Sequence, residues 1–307
     1  MKPQSSASVV GSGSEHLLPR VTVIVPVFNG EATLKALLEA LDSQSYPRDR
    51  LQVLIADDAS TDGTSTLLER SGKELEVVKL LGNSGSYAAR NAALSKSRGQ
   101  VIAFTDADCQ PDANWLEQGV RALHSKGGGL VAGAVSIEPV DSRSVIQCYD
   151  QAFGIQQAFF ASRQHFGATA NLFVDYQVFE KVSGFDEQLR SGGDKAFCDA
   201  CTAAGLSFSY APDCRVRHAP RTSLHELVVK QKRVALGHVR IYPLWSLYRL
   251  VPLSMRPRES FDYSTFCRDT TPWFRWRFRA TYYWLELVYL ATYVRGCLGQ
   301  NLRRVFA

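Results

Sequence analysis

Two carboxylates flank one small residue in Asp106-Ala107-Asp108, directly after the apolar run Val101-Ile102-Ala103-Phe104. A run of that length reads as a buried parallel strand, and the carboxyl end of such a strand is where open α/β sheets bind ligands. Oxygen ligands at that place suit a hard divalent cation, Mg2+ or Mn2+, which can also hold the oxygens of a diphosphate. A solvated turn would use the same residues. Asp58 closes an earlier strand, so it should project into the same crevice, where a carboxylate accepts an N–H from a base or caps a helix. Phe28, after Pro26-Val27, is suited to stack on a base or to pack on the following helix. Gly85 opens a helix and would let backbone approach a nucleotide closely. Arg90 and Asn91, one turn deeper, are expected in a salt bridge on the helix surface. Asp194 starts a helix after Gly192-Gly193, where it can serve as a general base at a cleft or as an N-cap. His218, near a strand end, can complete a metal or diphosphate site or be structural.

The elements that must position these residues alternate. Strands are predicted at Val21 to Val27, Leu51 to Ala56, Glu76 to Leu80 and Val101 to Phe104, separated by helices over about 32–45, up to Arg70, and over 86–96. That rhythm predicts an α/β fold with a parallel sheet covered by helices on both faces. The turn after the first strand lacks G-x-G-x-x-G, which counts against a dinucleotide fold. A helix follows from Asn114 to Ser125, then a strand from Leu130 to Ile137. Beyond it the rhythm changes, with a helix over 144–161, a strand at Asn171 to Val174, a helix from Asp194, and short strands at Ser207 to Tyr210 and Cys214 to His218.

The 307 residues, 45% hydrophobic, are enough for one large or two coupled domains. A net charge of +5 conceals an asymmetry: residues 1–214 hold 18 Lys and Arg against 25 Asp and Glu, while 215–307 hold 17 against 5. Seven scattered Cys and no apolar leader segment point to reduced thiols in the cytosol. Cys198, Cys201, Cys214 and His218 have a spacing compatible with zinc, but their mid-helix and strand positions favour buried thiols.

Together the segments resemble the family 2 glycosyltransferases. The likeness rests on Val23-Ile24-Val25-Pro26-Val27-Phe28-Asn29, Asp57-Asp58-Ala59-Ser60-Thr61-Asp62-Gly63-Thr64, Asn83 to Asn91 and Thr105-Asp106-Ala107-Asp108. It continues through Gly184-Phe185-Asp186-Glu187, Gly192-Gly193-Asp194 and Val216-Arg217-His218, covering about residues 20–221. The resemblance implies a GT-A fold, a nucleotide-sugar donor, a divalent metal and inversion at the anomeric carbon. It implies that Pro26 and Phe28 line the base pocket, that Asp58 accepts from the base, that Gly85 and Ala107 lie against the donor, and that Asp106 faces the ribose or sugar. Asp108, with His218, would hold the metal, and Asp194 would be the base. Gly193 departs from the Glu common before that Asp in the family.

The expected domains are a disordered lead-in over 1–20, a catalytic domain over 21–223 with a nucleotide-sugar half (21–137) and an acceptor half (138–223), and a basic, aromatic helical tail over 224–307. Residues 241–307 hold 16 of the 33 aromatics, including four of the five Trp. A helix from Ser223 to Tyr242 carries Lys230, Lys232, Arg233 and Arg240, suited to a membrane surface or a phosphorylated acceptor. Proline breaks at Pro243, Pro252 and Pro257 precede a last helix from Trp276 to Gly296. Glu286 interrupts its apolar run, so it should lie in the interface of a membrane, or pack on the catalytic domain, sooner than span. Nucleic acid is a poor fit to the acidic body. The expected activity is transfer of one sugar to a lipid-linked or polysaccharide acceptor by a peripheral enzyme at the cytoplasmic face of a membrane, since Gln231-Lys232-Arg233 does not complete the processive signature. A nucleotidyltransferase and a non-catalytic sugar-nucleotide sensor are the alternatives.

Overall fold

All seven residues of strand β1 (Val21–Val27) are buried. In the computed structural model, which describes residues 18–71, 75–241 and 271–305, Val21, Val23 and Val25 enter one apolar cluster with Leu34, Leu37 and Leu41 of helix α1 (Leu34–Asp42). Ile24 joins a second cluster with Leu54, Phe104 and Phe185. Strand neighbours point to opposite faces, so both faces of the sheet are covered, which is why β1 lacks polar alternation. Most of the expected lead-in (1–17), the breaks at Pro243, Pro252 and Pro257, and Cys267 lie outside the described residues.

Strands β2 (Leu51–Asp57), β3 (Leu75–Lys79) and β4 (Val101–Thr105) join β1 in parallel, in the order β3-β2-β1-β4. Helices α1, α2 (Thr64–Arg70) and α3 (Ser86–Leu94) form the crossovers. Beyond β4 the purely parallel expectation is corrected. Strand β7 (Asn171–Asp175) lies between β4 and β6 (Leu130–Ile137), antiparallel to both. Strand β8 (Phe208–His218) runs parallel to β6 and antiparallel to the three-residue β5 (Cys109–Pro111). A short buried apolar run marks a strand without recording its direction, and three residues are too few to show a period. The result is a mixed eight-stranded sheet flanked by helices.

Two expected strands in the region of β8 are one, with a register shift opposite Gly133 and Ala134 that takes up Pro212, Asp213 and Cys214. The helix expected over 144–161 is two, α5 (Val145–Phe153) and α6 (Gln157–Gln164). Gly154 ends α5 with its Cα so close to the helix that a Cβ would stand 2.3 Å from the carbonyl oxygen of Asp150. Helices α4 (Trp115–Ser125), α7 (Val178–Lys181) and α8 (Gly193–Ala203) cover the sheet.

The tail is built into the molecule. Helix α9 (Leu224–Ile241) and the 34-residue α10 (Pro272–Val305) pack on each other and on α5. Val145, Tyr149, Leu227, Phe274, Phe278 and Leu285 form one small core, and Ala235, Val239, Tyr293 and Cys297 continue it. Packing of α10 on the catalytic domain thus holds for one of its faces. Among the described residues no helix is long and apolar enough to cross a membrane.

Candidate active site

The turn after β4 separates its two carboxylates. Asp106 Oδ1 accepts from Arg90 Nη2 of α3, and Asp108 Oδ2 stands 3.3 Å from His218 Nε2. Strand β5 makes the second contact, because Cys109 pairs with His218 in the ladder and Ala219 N donates to the Asp108 carbonyl at 2.9 Å. His218 Nδ1 lies 2.7 Å from the Ala219 carbonyl oxygen, which can only accept, so Nδ1 carries the proton. Nε2 then faces the Asp108 carboxylate, a pairing that a shared proton or metal ion would satisfy. Burial raises the pKa of Asp108 and Asp106 adds to this, while His218 and Arg221 oppose it. Asp108, His218 and Cys109 have ligand atoms within 4.8 Å of one another. Burial holds the Cys109 thiol well above its ordinary range, and a soft sulfur ligand is a poor match for a hard cation. The donor set that fits a hard cation is Asp108 with His218.

Arg90 corrects the expectation of a surface salt bridge. Only 3% of it is exposed, and α3 carries it inward to Asp106 while its guanidinium lies 5.6 Å from the Tyr87 ring centroid. Tyr87 donates through its hydroxyl to Asp194 Oδ1 at 3.2 Å. Burial raises the pKa of the half-buried Asp194, opposed by the charge of Arg90 and the Tyr87 hydroxyl. Gly193 lies against the same ring: a Cβ there would stand 2.7 Å from Tyr87 Cε2, which accounts for the missing Glu. Asn91 ties down the next loop, donating to the Phe185 carbonyl at 2.8 Å and accepting from Phe185 N at 3.0 Å.

The start of α3 is organised by Asp58. Its carboxylate is buried and accepts from Ser84 N at 2.7 Å and Gly85 N at 2.8 Å. Gly85 adopts φ +98°, a backbone conformation that calls for glycine. Neighbouring Asp57 accepts from Ser60 N and Ser65 Oγ. Pro26 is buried in β1 opposite Ala56, and Ala107 is half-buried against the core. Phe28 is 48% exposed and does not pack on α1 as a core residue would.

One helix therefore links the predicted residues: its N-terminus rests on Asp58, Tyr87 holds Asp194, and Arg90 holds Asp106. Tyr87 was not singled out by the sequence, although its three-residue spacing from Arg90 puts both on one helix face. A broad depression of about 1000 Å³ between α1 and α2, lined by Lys35, Leu38, Arg48, Leu67 and Arg70, contains none of these groups. The cysteines weighed for zinc are apart: Cys198 and Cys201 lie buried in α8, while Cys214 contacts the Trp115 carbonyl at 3.6 Å.

Of the basic face expected on α9, only Lys230 is drawn inward. Lys230 Nζ donates to Asp150 Oδ1 at 2.9 Å and retains 18% side-chain exposure, and Arg240 Nη1 donates to the Gln188 carbonyl at 2.7 Å. Lys232 and Arg233 are exposed.

Residues 22–211 match the model of the family described as Glycosyl transferase family 2. Glycosyltransferase AglE of Haloferax volcanii is 35% identical over 243 residues, which are 78% of this chain and 80% of that protein. Mannosyltransferase PcManGT from Pyrobaculum calidifontis, in complex with GDP-Man and Mn2+, superposes with a TM-score of 0.58 at 21% identity, covering 89% of this chain and 74% of that one. S. aureus TarS gives 0.56 at 18%, covering 92% and 91%. At these identities the structures speak for the fold, which is GT-A.

Proposed function

The chain belongs to glycosyl transferase family 2, and from that premise we propose that it moves one hexose or related sugar from a nucleotide-sugar donor to a lipid-linked or polysaccharide acceptor, with inversion at the anomeric carbon. The observation that carries this reading is the linkage, through α3, of two donor-end carboxylates to one proton-accepting carboxylate. In it, Asp58 shapes the loop under the base, Phe28 and Pro26 border the base, Gly85 and Ala107 lie against the donor, and Asp106 faces the ribose or sugar. Asp108 and His218 would hold Mg2+ or Mn2+, which would supply positive charge against the leaving diphosphate. PcManGT, with GDP-Man and Mn2+, is a precedent for that pairing on this fold. Residues 21–137 serve the donor and 138–223 the acceptor.

In the proposed reaction Asp194 accepts the proton of the acceptor hydroxyl, the freed oxygen bonds to the anomeric carbon, and the bond from that carbon to the diphosphate oxygen breaks. A carboxylate with a raised pKa is the stronger base, and the Tyr87 hydroxyl fixes its orientation. With Asp194 as the base, the acceptor oxygen displaces the diphosphate in a single step, which is the inversion that the family resemblance implies.

The outward face of α10 supports work at a membrane. Trp273, Trp276, Trp284 and Leu287 are 52% to 66% exposed on the side opposite Phe278 and Leu285, with exposed Arg275, Arg277 and Arg279 nearby. Indole rings favour the headgroup layer and Arg favours anionic lipid. This face supports the reading of a peripheral protein, which we take to work at the cytoplasmic side.

Incubation with a panel of UDP- and GDP-sugars, Mn2+ or Mg2+ and candidate acceptors tests the reading, with nucleoside diphosphate as the expected product. Release of pyrophosphate would assign a nucleotidyltransferase, and donor binding without turnover a sensor. Asp108→Ala should abolish the metal dependence of donor binding; an unchanged metal titration would remove Asp108 from that role.

A further inference from the structure

Asp194 is the second residue of α8, and the turn from Gln188 to Gly192 delivers it to the site. Two walls enclose that turn. On one side Gly193 lies against the Tyr87 ring of α3, and Asn91 holds the start of the loop at Phe185. On the other side stands α9. A Cβ at the buried Gly237 would be 2.5 Å from the Ser191 carbonyl oxygen and 2.9 Å from its carbonyl carbon, so helix meets loop backbone with no side chain between them. Arg240 Nη1 donates to the Gln188 carbonyl at 2.7 Å. Ile241 ends the contact, its Cδ1 beside Gly192, which adopts φ +80°.

Gly237, Arg240 and Ile241 follow the i, i+3, i+4 spacing of a single helix face. At about 100° per residue, Ala235 and Val239 stand on the opposite face of α9. That face is buried on Tyr293 and Cys297 of α10, and Gly296 lets α10 approach so closely that a Cβ there would be 2.8 Å from Val239 Cγ2. Helix α9 is therefore held from behind by α10 and meets the loop in front.

A side chain at such a contact can yield by changing rotamer, whereas a contact onto main chain passes displacement on. Ser191 is three residues from Asp194, and misplacing a reacting group by about 1 Å can cost about 10²-fold in rate. Both helices lie beyond residues 22–211, the segment that matches the family model.

We propose that Gly237 and Arg240 are positioning residues for Asp194: α9 holds the turn from Gln188 to Gly192, and through it the carboxylate, against Tyr87. The proposal rests on the reading of Asp194 as the base and makes the C-terminal helix pair part of the working site.

The test uses the full chain carrying Gly237→Ala, Arg240→Met or Arg240→Lys, with the first two also combined with Asp194→Asn. Turnover is followed as nucleoside diphosphate released from a sugar nucleotide with Mn2+, water being the acceptor. A water proton passes to Asp194, the water oxygen bonds to the anomeric carbon, and the bond from that carbon to the diphosphate breaks. Gly237→Ala should lower kcat by about 10²-fold with donor KM held within about twofold. Arg240→Met should lower it by about three- to tenfold, the scale of one hydrogen bond, and Arg240→Lys, which keeps a donor, should restore most of the loss. In the Asp194→Asn background neither change should lower kcat further, because the group they position is gone. Amide hydrogen exchange, read without turnover, should quicken over 186–196 and stay unchanged over 82–91 and 101–108.

Further loss of kcat in the Asp194→Asn background overturns the proposal, as does faster exchange spread over the whole chain, which would make α9 a general support. Unchanged kcat and exchange in Gly237→Ala and Arg240→Met also overturn it. Should Gly237→Ala fail to fold, the exposed Arg240 decides through its two variants. A wild-type chain that releases no nucleoside diphosphate from any sugar nucleotide would break the glycosyltransferase reading, and the exchange comparison would still decide whether α9 holds the loop.

Discussion

Asp58 and Asp150 are both buried carboxylates, one in each half of the molecule, and they are satisfied by different means. Asp58 takes two backbone N–H groups from the loop that opens α3. Asp150 takes a guanidinium, an ammonium and one backbone N–H. Backbone donors are fixed by the fold and lose no side-chain entropy on binding, so the donor end is rigid before any ligand arrives. Long cationic side chains lose rotamer freedom when they are held on one carboxylate. The proposed donor half, 21–137, is organised here by geometry, and the proposed acceptor half, 138–223, by charge. Asp194 stands where they meet, in the acceptor half but held by Tyr87 of α3.

The sharpest test acts at that junction. Asp194→Asn should lower kcat by about 10²- to 10⁴-fold with donor affinity retained, the range for a positioned general base; steady-state kinetics beside donor titration would reveal any loss confined to KM, which would remove Asp194 from the role. Asp150→Asn comes next. It leaves two buried cations facing a neutral amide and should cost about 3–5 kcal/mol in urea unfolding, against about 1–3 kcal/mol for Asp58→Asn, whose amide still accepts one of the two N–H groups. Reversal of that order would end the distinction between the halves. Because the folded pKa of Asp150 is lowered, its contribution is complete above the unfolded value of about 3.9 and is lost as pH falls through the folded one. The Asp150→Asn protein should therefore lack that part of the acid destabilisation.

Gly85→Ala probes the rigidity of the donor end. A side chain at φ +98° should cost about 1–2 kcal/mol and raise the donor KM. Equal stability and KM would show that the loop adapts. Tyr87→Phe should have the smallest effect. The hydroxyl stabilises the charged form of Asp194, so its loss raises that pKa and moves the acid limb of kcat/KM to higher pH. An unmoved limb would assign Tyr87 to packing alone.

Much of the donor half was legible from short-range signals. β1, α1, β2, α3 and β4 each declare themselves within about ten residues, by apolar runs, helical spacing and turn chemistry, and their alternation implies the parallel order. Arg90 shows where such reading stops. Its place in α3 was clear, but whether that face of α3 looked outward or onto Asp106 depended on how the helix lies against the sheet.

The amino-acid sequence by itself determined the family, the order of the strand-end motifs and the positions of the carboxylates, because local pattern and motif spacing are properties of neighbouring residues. Tertiary structure alone decided that β7 enters antiparallel, that β5 carries Asp108 to His218, and that Asp150 gathers Arg221 and Lys230 across 71 and 80 positions. Those pairings are set by which surfaces can be buried together, and a surface exists only after the chain has folded.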